Sequence, residues 1–284
     1  MANRLITKIL PGIIFLFTLS GCMYDLDVGG MFGHADNANE RFNQSMQWNA
    51  DNNSRNVGIY GSKYSIYFGG DSHVGGTVNL QKLIDISEDS MALAMVIAGD
   101  VSTGRADDYL VLDSVLQGTN RVHTCLVAGN HDLYFDGWKS FYELFGSSCY
   151  TMDVHSTNAT DLFIFLDTGS GTLGNLQLEW LKNLLEEERE NYRYVVVSTH
   201  LNFFRNRMTG STNPLNEELL VFLDLFEKHR VNLLISGHDH DRYIEEFGHT
   251  TYITLDAMLD DAEQASYLNL SVSPEGLTYE FVKL

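Results

Sequence analysis

The sequence predicts an α/β fold, with sheets packed in the middle and helices outside. Two patterns carry that expectation. From Gly58 onward, short apolar runs alternate with longer stretches of helical spacing, as strand–helix–strand units do. After Asp241 the pattern changes to four successive β runs, which read as an antiparallel tail. The apolar runs are residues 64–68, 95–98, 124–128, 162–166, 195–198 and 233–235, each bounded by Gly or polar residues and read as a buried strand. Between them, residues 78–87, 107–116, 176–190 and 216–229 carry helical spacing. In the third of these helices Leu176, Trp180, Leu181, Leu184 and Leu185 share one face, and the acidic run that follows is solvated. The tail comprises residues 243–247, 251–255, 267–272 and 277–282.

Composition narrows the function classes. A chain of 284 residues with 44% hydrophobic and 20% charged content is an ordinary globular protein. A single long apolar run excludes a polytopic membrane protein. The net charge of −20, from 38 acidic and 18 basic residues, argues against a nucleic-acid groove, which needs clustered Lys and Arg. Three cysteines without a CxxC pair form neither a disulfide scaffold nor a zinc knuckle.

The N-terminus reads as a targeting segment. Arg4 and Lys8 precede an apolar core that runs into Leu19-Ser20-Gly21-Cys22, which resembles a bacterial lipobox. The expectation is a signal peptide over residues 1–21, lipid attachment at Cys22 and a membrane anchor in the cell envelope. Met23, where an Asp would signal retention, favours the outer membrane over the inner. Residues 22–57 are rich in Asn, Asp and Gly and read as a tether, with residues 41–48 laid partly against the domain. Residues 58–284 are then the folded domain.

Five of the six strands end in chemistry-bearing residues. The first leads into Gly70-Asp71-Ser72-His73, the second into Gly99-Asp100 and the third into Gly129-Asn130-His131-Asp132. The fifth leads into Thr199-His200 and the sixth into Gly237-His238-Asp239-His240. Ligands of α/β sheets bind beyond the carboxyl ends of the strands. Spacing of two in Asp71-x-His73 and His238-x-His240 aims both side chains of each pair to one side if the strand continues. Any one of these histidines alone reads better as structural, as do His34, His123, His155, His229 and His249. The set, in this order, is a specific signal.

In these motifs the chain resembles the calcineurin-like metallophosphoesterases, over residues 64–240. The resemblance implies a four-layer α/β/β/α architecture, a double β-sheet sandwich flanked by helices, and a dinuclear centre. It implies that Asp71, His73 and His240 hold one ion, that Asp100 bridges, and that Asn130, His200 and His238 complete the second. His131 would be acid or transition-state stabiliser, with Asp132 as its orienting partner. Imidazole and oxygen donors without thiolate suit Mn, Fe, Zn or Co, as divalent or mixed-valence ions. Two ions about 3.5–4 Å apart can activate a bridging hydroxide against a small-molecule phosphate ester.

Departures narrow the reading. Thr103 stands where purple acid phosphatases carry an iron-binding Tyr, and Asn202 where many relatives have Pro. Arg205 and Arg207 are candidate substrate contacts on one wall, with Tyr134, Phe135 and Trp138 on the other. The substrate could be a monoester, a diester or a nucleotide pyrophosphate, and a catalytically silent binding lipoprotein is the alternative of a different class. A Cys125–Cys149 bridge is left open.

Overall fold

The computed structural model describes residues 36–52, 55–74, 77–119, 121–201 and 216–284. Cys22, Arg205 and Arg207 therefore lie outside the described residues. Twelve strands form two sheets among those residues. The strands are β1 (Arg55–Gly58), β2 (Tyr64–Gly69), β3 (Ala94–Ala98), β4 (His123–Val127), β5 (Tyr150–His155) and β6 (Thr160–Phe165). They continue as β7 (Val195–Ser198), β8 (Leu233–Ser236), β9 (Tyr243–Phe247), β10 (Thr250–Thr254), β11 (Ser266–Ser273) and β12 (Gly276–Lys283). One sheet runs β12-β11-β2-β3-β4 and the other β1-β5-β6-β7-β8-β10-β9. Strands β2, β3 and β4 are parallel to one another, as are β6, β7 and β8.

The layers follow from period-two alternation. Ile66 and Phe68 of β2, and Ala94, Val96 and Ala98 of β3, face Phe163 and Phe165 of β6 and Ile235 of β8 between the sheets. Tyr67, Met95 and Ile97 point the other way. There they meet α2 (Val78–Asp89), α3 (Ala106–Leu116) and α4 (Gly137–Phe145) through Leu83, Leu112 and Phe141. On the far face of the second sheet, Ile164 and Val197 pack on α5 (Gly174–Glu188) and α6 (Asn216–Lys228) through Leu181 and Phe226. Both faces of each central strand are covered, which is why these strands read as nearly continuous apolar runs. The architecture is α/β/β/α, as expected. Cys125 and Cys149 are both buried free thiols.

The folded body begins before residue 58. Ala38–Asn52 form a helix, α1, and β1 pairs in parallel with β5. Asn37 caps α1, its Oδ1 accepting the N–H groups of Asn39 and Glu40 while Glu40 Oε2 accepts the N–H of Asn37. Phe42 packs on Trp180 of α5, and Arg41 is 1% exposed. Part of the segment read as tether is thus an integral layer element.

Candidate metal centre

Parallel strands deliver the motifs of both sheets to one edge, but the convergence there is not strand alternation. Asp71, His73, Asp100, His238 and His240 all have positive φ, between 40° and 74°. The extended backbone stops at each strand end, and the ligand pairs converge through left-handed turns. Non-glycine residues in that region carry strain and persist where surrounding contacts over-determine them. The contacts are present. The N–H of Asp71 donates to Gly99 O at 3.0 Å, and that of His73 to Asp100 O at 2.9 Å. Gly99 has φ +87°, and a Cβ there would strike the His200 ring, so this close approach requires glycine.

Each carboxylate uses one oxygen to hold a neighbouring motif. Asp71 Oδ2 accepts the N–H of His238 at 2.9 Å, and Asp100 Oδ1 accepts the N–H of His131 at 2.8 Å. The other oxygens face imidazoles. Asp71 Oδ1 is buried, accepts no hydrogen bond among the described residues, and lies 3.2 Å from His240 Nε2 and 3.9 Å from His73 Nε2. Asp100 Oδ2 lies 3.6 Å from His73 Nε2 and 3.3 Å from His200 Nε2. His200 Nε2 is 3.1 Å from both Asn130 Oδ1 and His238 Nδ1, and His73 Nε2 is 3.4 Å from His240 Nε2. Donor atoms roughly 2.0–2.2 Å from one ion stand about 3–3.5 Å from each other, so most of this spacing suits shared coordination. An orphaned buried carboxylate oxygen among imidazole nitrogens fits a divalent cation as well.

The ligands fall into an outer group, Asp71, His73 and His240, and an inner group, Asp100, His200 and His238. Asn130 adds its amide oxygen to the inner group. Its amide nitrogen donates to the Tyr134 hydroxyl at 3.2 Å, which turns the oxygen toward His200. His200 Nδ1 lies 3.0 Å from the Ala98 carbonyl, which accepts the Nδ1–H and leaves Nε2 facing the group. His131 stands at the rim with its ring edge-on to His73, centroids 4.5 Å apart, and one ring nitrogen within 4.8 Å of the donor atoms of His73 and Asp100.

Protonation differs between the groups. Burial depresses His73, outweighing the attraction of Asp100, and brings its pKa to about 4. Burial also opposes charge on His200, but the adjacent Asp100 carboxylate overcomes it and raises the pKa to about 9. Burial pushes Asp71 up, yet its histidine neighbours, His240 foremost, hold it below the usual carboxylate range. Asp100 shows the same competition, won chiefly by His200.

Two expected site residues act otherwise. Asp132 accepts the N–H groups of Gly129, Val101 and Ser102 and the hydroxyls of Ser102 and Tyr109. These donors occupy both oxygens, so Asp132 clamps the second motif to the third rather than orienting the His131 ring. Burial and the nearby charge of Asp100 push its pKa up to about 7. Trp138 is not a substrate wall: it is 1% exposed, stacks on Phe141 and donates its indole N–H to Gln44 Oε1. Tyr134 does stand beside His131, ring centroids 4.8 Å apart, and Phe135 lies under the Arg105 guanidinium.

Sequence reasoning also passed over Thr168. Its Oγ1 accepts the backbone N–H of His200 at 3.2 Å and of Leu201 at 2.9 Å. The signal was present, because β6 points the same way as β7 and leads into Asp167-Thr168-Gly169 at the same edge.

Two sheets deliver histidines and carboxylates to a shared edge, an arrangement suited to holding metal ions. The chain belongs to the calcineurin-like phosphoesterases, whose family model matches residues 64–242. Among solved structures, it is similar to GAP50, described as the anchor in the inner membrane complex of Plasmodium, at 15% identity and a TM-score of 0.63, covering 78% of this chain and 85% of that one. It is also similar to a dimetal phosphatase from Danio rerio, at 14% identity and 0.59, covering 78% and 96%. A purple acid phosphatase from yellow lupin gives 14% and 0.59, with 78% of this chain spanning 52% of that one. At these identities the likeness is one of fold. No curated protein sequence matches the chain.

Proposed function

We propose that the protein hydrolyses a small-molecule phosphate ester at a centre of two transition-metal ions, drawn from Mn, Fe, Zn and Co. Asp71, His73 and His240 would hold one ion and Asn130, His200 and His238 the other, with Asp100 shared. The observation that carries this reading is Asp100 Oδ2, flanked by His73 of the outer group and His200 of the inner one. When bound, such a pair supplies positive charge for the phosphoryl oxygens and a hydroxide nucleophile near neutral pH.

The chain's own residues do the rest. His131, held through its N–H by Asp100 and standing edge-on to His73, is placed to donate a proton to the departing alkoxide. Tyr134 flanks it, ring centroids 4.8 Å apart. The complete ligand set, together with His131, favours an enzyme over a silent binding protein on the same fold. The lipobox-like segment ending in Cys22 supports anchoring in the cell envelope, at the outer membrane in preference to the inner.

Metal content of the purified protein, measured beside turnover of a nitrophenyl monoester, a nitrophenyl diester and a nucleotide pyrophosphate, tests the reading. We expect about two equivalents of transition metal and metal-dependent turnover of at least one substrate class. A metal-free protein that cleaves none of them would overturn it.

A further inference from the structure

Among the described residues outside the family match, the most heavily bonded buried charge is Arg41 of α1. Its Nε donates to Asp167 Oδ2 at 2.7 Å, and one terminal nitrogen donates to Asp167 Oδ1 at 3.1 Å and Ser170 Oγ at 3.0 Å. The other terminal nitrogen donates to the Asp36 carbonyl at 2.6 Å. Both partners of the ion pair are almost fully buried, at 1% and 3% side-chain exposure. A buried pair is costly to desolvate, so its presence alone is weak evidence for a stabilising role. What it holds is more informative.

Asp167 opens the loop after β6. Its Oδ1 also accepts the N–H of Gly169 at 3.1 Å, and Gln177 of α5 bonds both its N–H and its carbonyl. The residue between these fixed points is Thr168, 4% exposed, whose Oγ1 accepts the N–H groups of His200 and Leu201. From the other side, the His200 carbonyl accepts the N–H of Gly237, the residue before His238. The backbone carrying His200 is thus pinned between the Thr168 loop and the strand end that supplies a second ligand of the same group.

We infer that Thr168 is a positioning residue for the inner metal site, and that Arg41, from a helix outside the family-matched segment, fixes Thr168 through Asp167. The inference rests on the two-metal reading above. His200 Nε2 stands at 3.1 Å from two donors and 3.3 Å from a third, so a small shift of its backbone changes all three separations together. The Thr168 hydroxyl bonds the backbone that carries His200, a ligand of the inner group. Loss of the tie should therefore act on one site and spare the other.

Calorimetric titration of the full, metal-stripped chain with Mn²⁺ or Zn²⁺ alone, without substrate, tests this. Thr168→Val keeps the shape and removes the acceptor, and should weaken one of two sites roughly 10–100-fold, the range for supporting groups of metal ligands. Thr168→Ser should restore it. Arg41→Lys, which keeps the charge but not the paired geometry, should weaken the same site by a smaller factor. If Arg41→Lys fails to fold, the Thr168 pair still decides the matter. Wild-type affinity at both sites in Thr168→Val, or equal weakening of both sites, would overturn the inference. A wild-type chain with only one site would overturn the two-metal reading, and this inference with it.

Discussion

The outer and inner ligand groups each contain one aspartate and two histidines, yet they meet solvent differently. In the outer group the side chains of His73 and His240 are 10% and 25% exposed. In the inner group His200 is wholly buried, and Asp100 nearly so. Their protonation differs as well, and the charge of Asp100, not the depth of burial, decides it. Burial leaves His73 neutral at pH 7, whereas His200 sits against Asp100 and keeps its proton to about pH 9. Partial burial without an overriding charge prepares a ligand for metal, while full burial beside a carboxylate satisfies the ligand with a proton until metal displaces it.

The largest break in this comparison should come from the residue the two groups share. Asp100→Asn removes a charge between His73 and His200 and alters the oxygen pair that also holds the His131 N–H. Loss of several kcal/mol of charge stabilisation corresponds to about 10³-fold or more in turnover. It should exceed the loss from His240→Ala or His238→Ala, each confined to one group. Steady-state rates and metal content of the three variants check the order. A milder effect for Asp100→Asn than for either alanine variant would show that the two groups do not share this carboxylate.

The legibility of these groups in the sequence was uneven for physical reasons. Central strands such as Ala94–Ala98 are buried on both faces, so they stand out as apolar runs, and the motif residues at their ends stand out against them. The turns were not legible. The D-x-H and H-x-H spacing suggested continued strand, while Asp71, His73, His238 and His240 all have positive φ, the first three held there by hydrogen bonds to other motifs. α1 was missed because its many Asn residues have weak helix preference, and tertiary docking of Arg41 and Phe42 sustains it. Its one local signal was the capping pattern Asn37-x-x-Glu40. Trp138 was misplaced because an aromatic beside a motif gives no indication of which way it faces. Asp132 was read as a partner of the histidine beside it, but backbone N–H groups of two loops claim its oxygens.

Proton linkage sharpens the contrast without any mutation. Metal needs a neutral imidazole, and His200 carries a proton below about pH 9. Apparent affinity of the inner site should therefore fall about tenfold per pH unit as pH drops below that value, with about one proton released per ion bound at neutral pH. His73 adds no such slope until pH approaches 4, because its ring is already neutral above that. Calorimetry in buffers of differing ionisation enthalpy, over roughly pH 6 to 8, reads both quantities. Two sites with the same slope and the same proton release would erase the distinction drawn here.

The smallest expected effect isolates the one amide ligand of the inner group. Asn130 can coordinate only through its amide oxygen, because the amide nitrogen has no lone pair to offer. The Tyr134 hydroxyl, 3.2 Å from that nitrogen, is what distinguishes the two ends of the amide here. Tyr134→Phe removes the hydroxyl but keeps the ring beside His131, so the amide gains a second rotamer that presents its nitrogen to the site. Affinity of the inner site for Mn²⁺ should fall about tenfold, the lower end of the range for supporting groups, with the outer site unchanged. Asn130→Asp in the same background offers oxygen in either rotamer and should recover the loss. Because the titration contains no substrate, a role for Tyr134 as a substrate wall cannot produce this pattern. Wild-type affinity in Tyr134→Phe would mean that the packing around Asn130, and not the hydroxyl, decides which end of the amide faces His200.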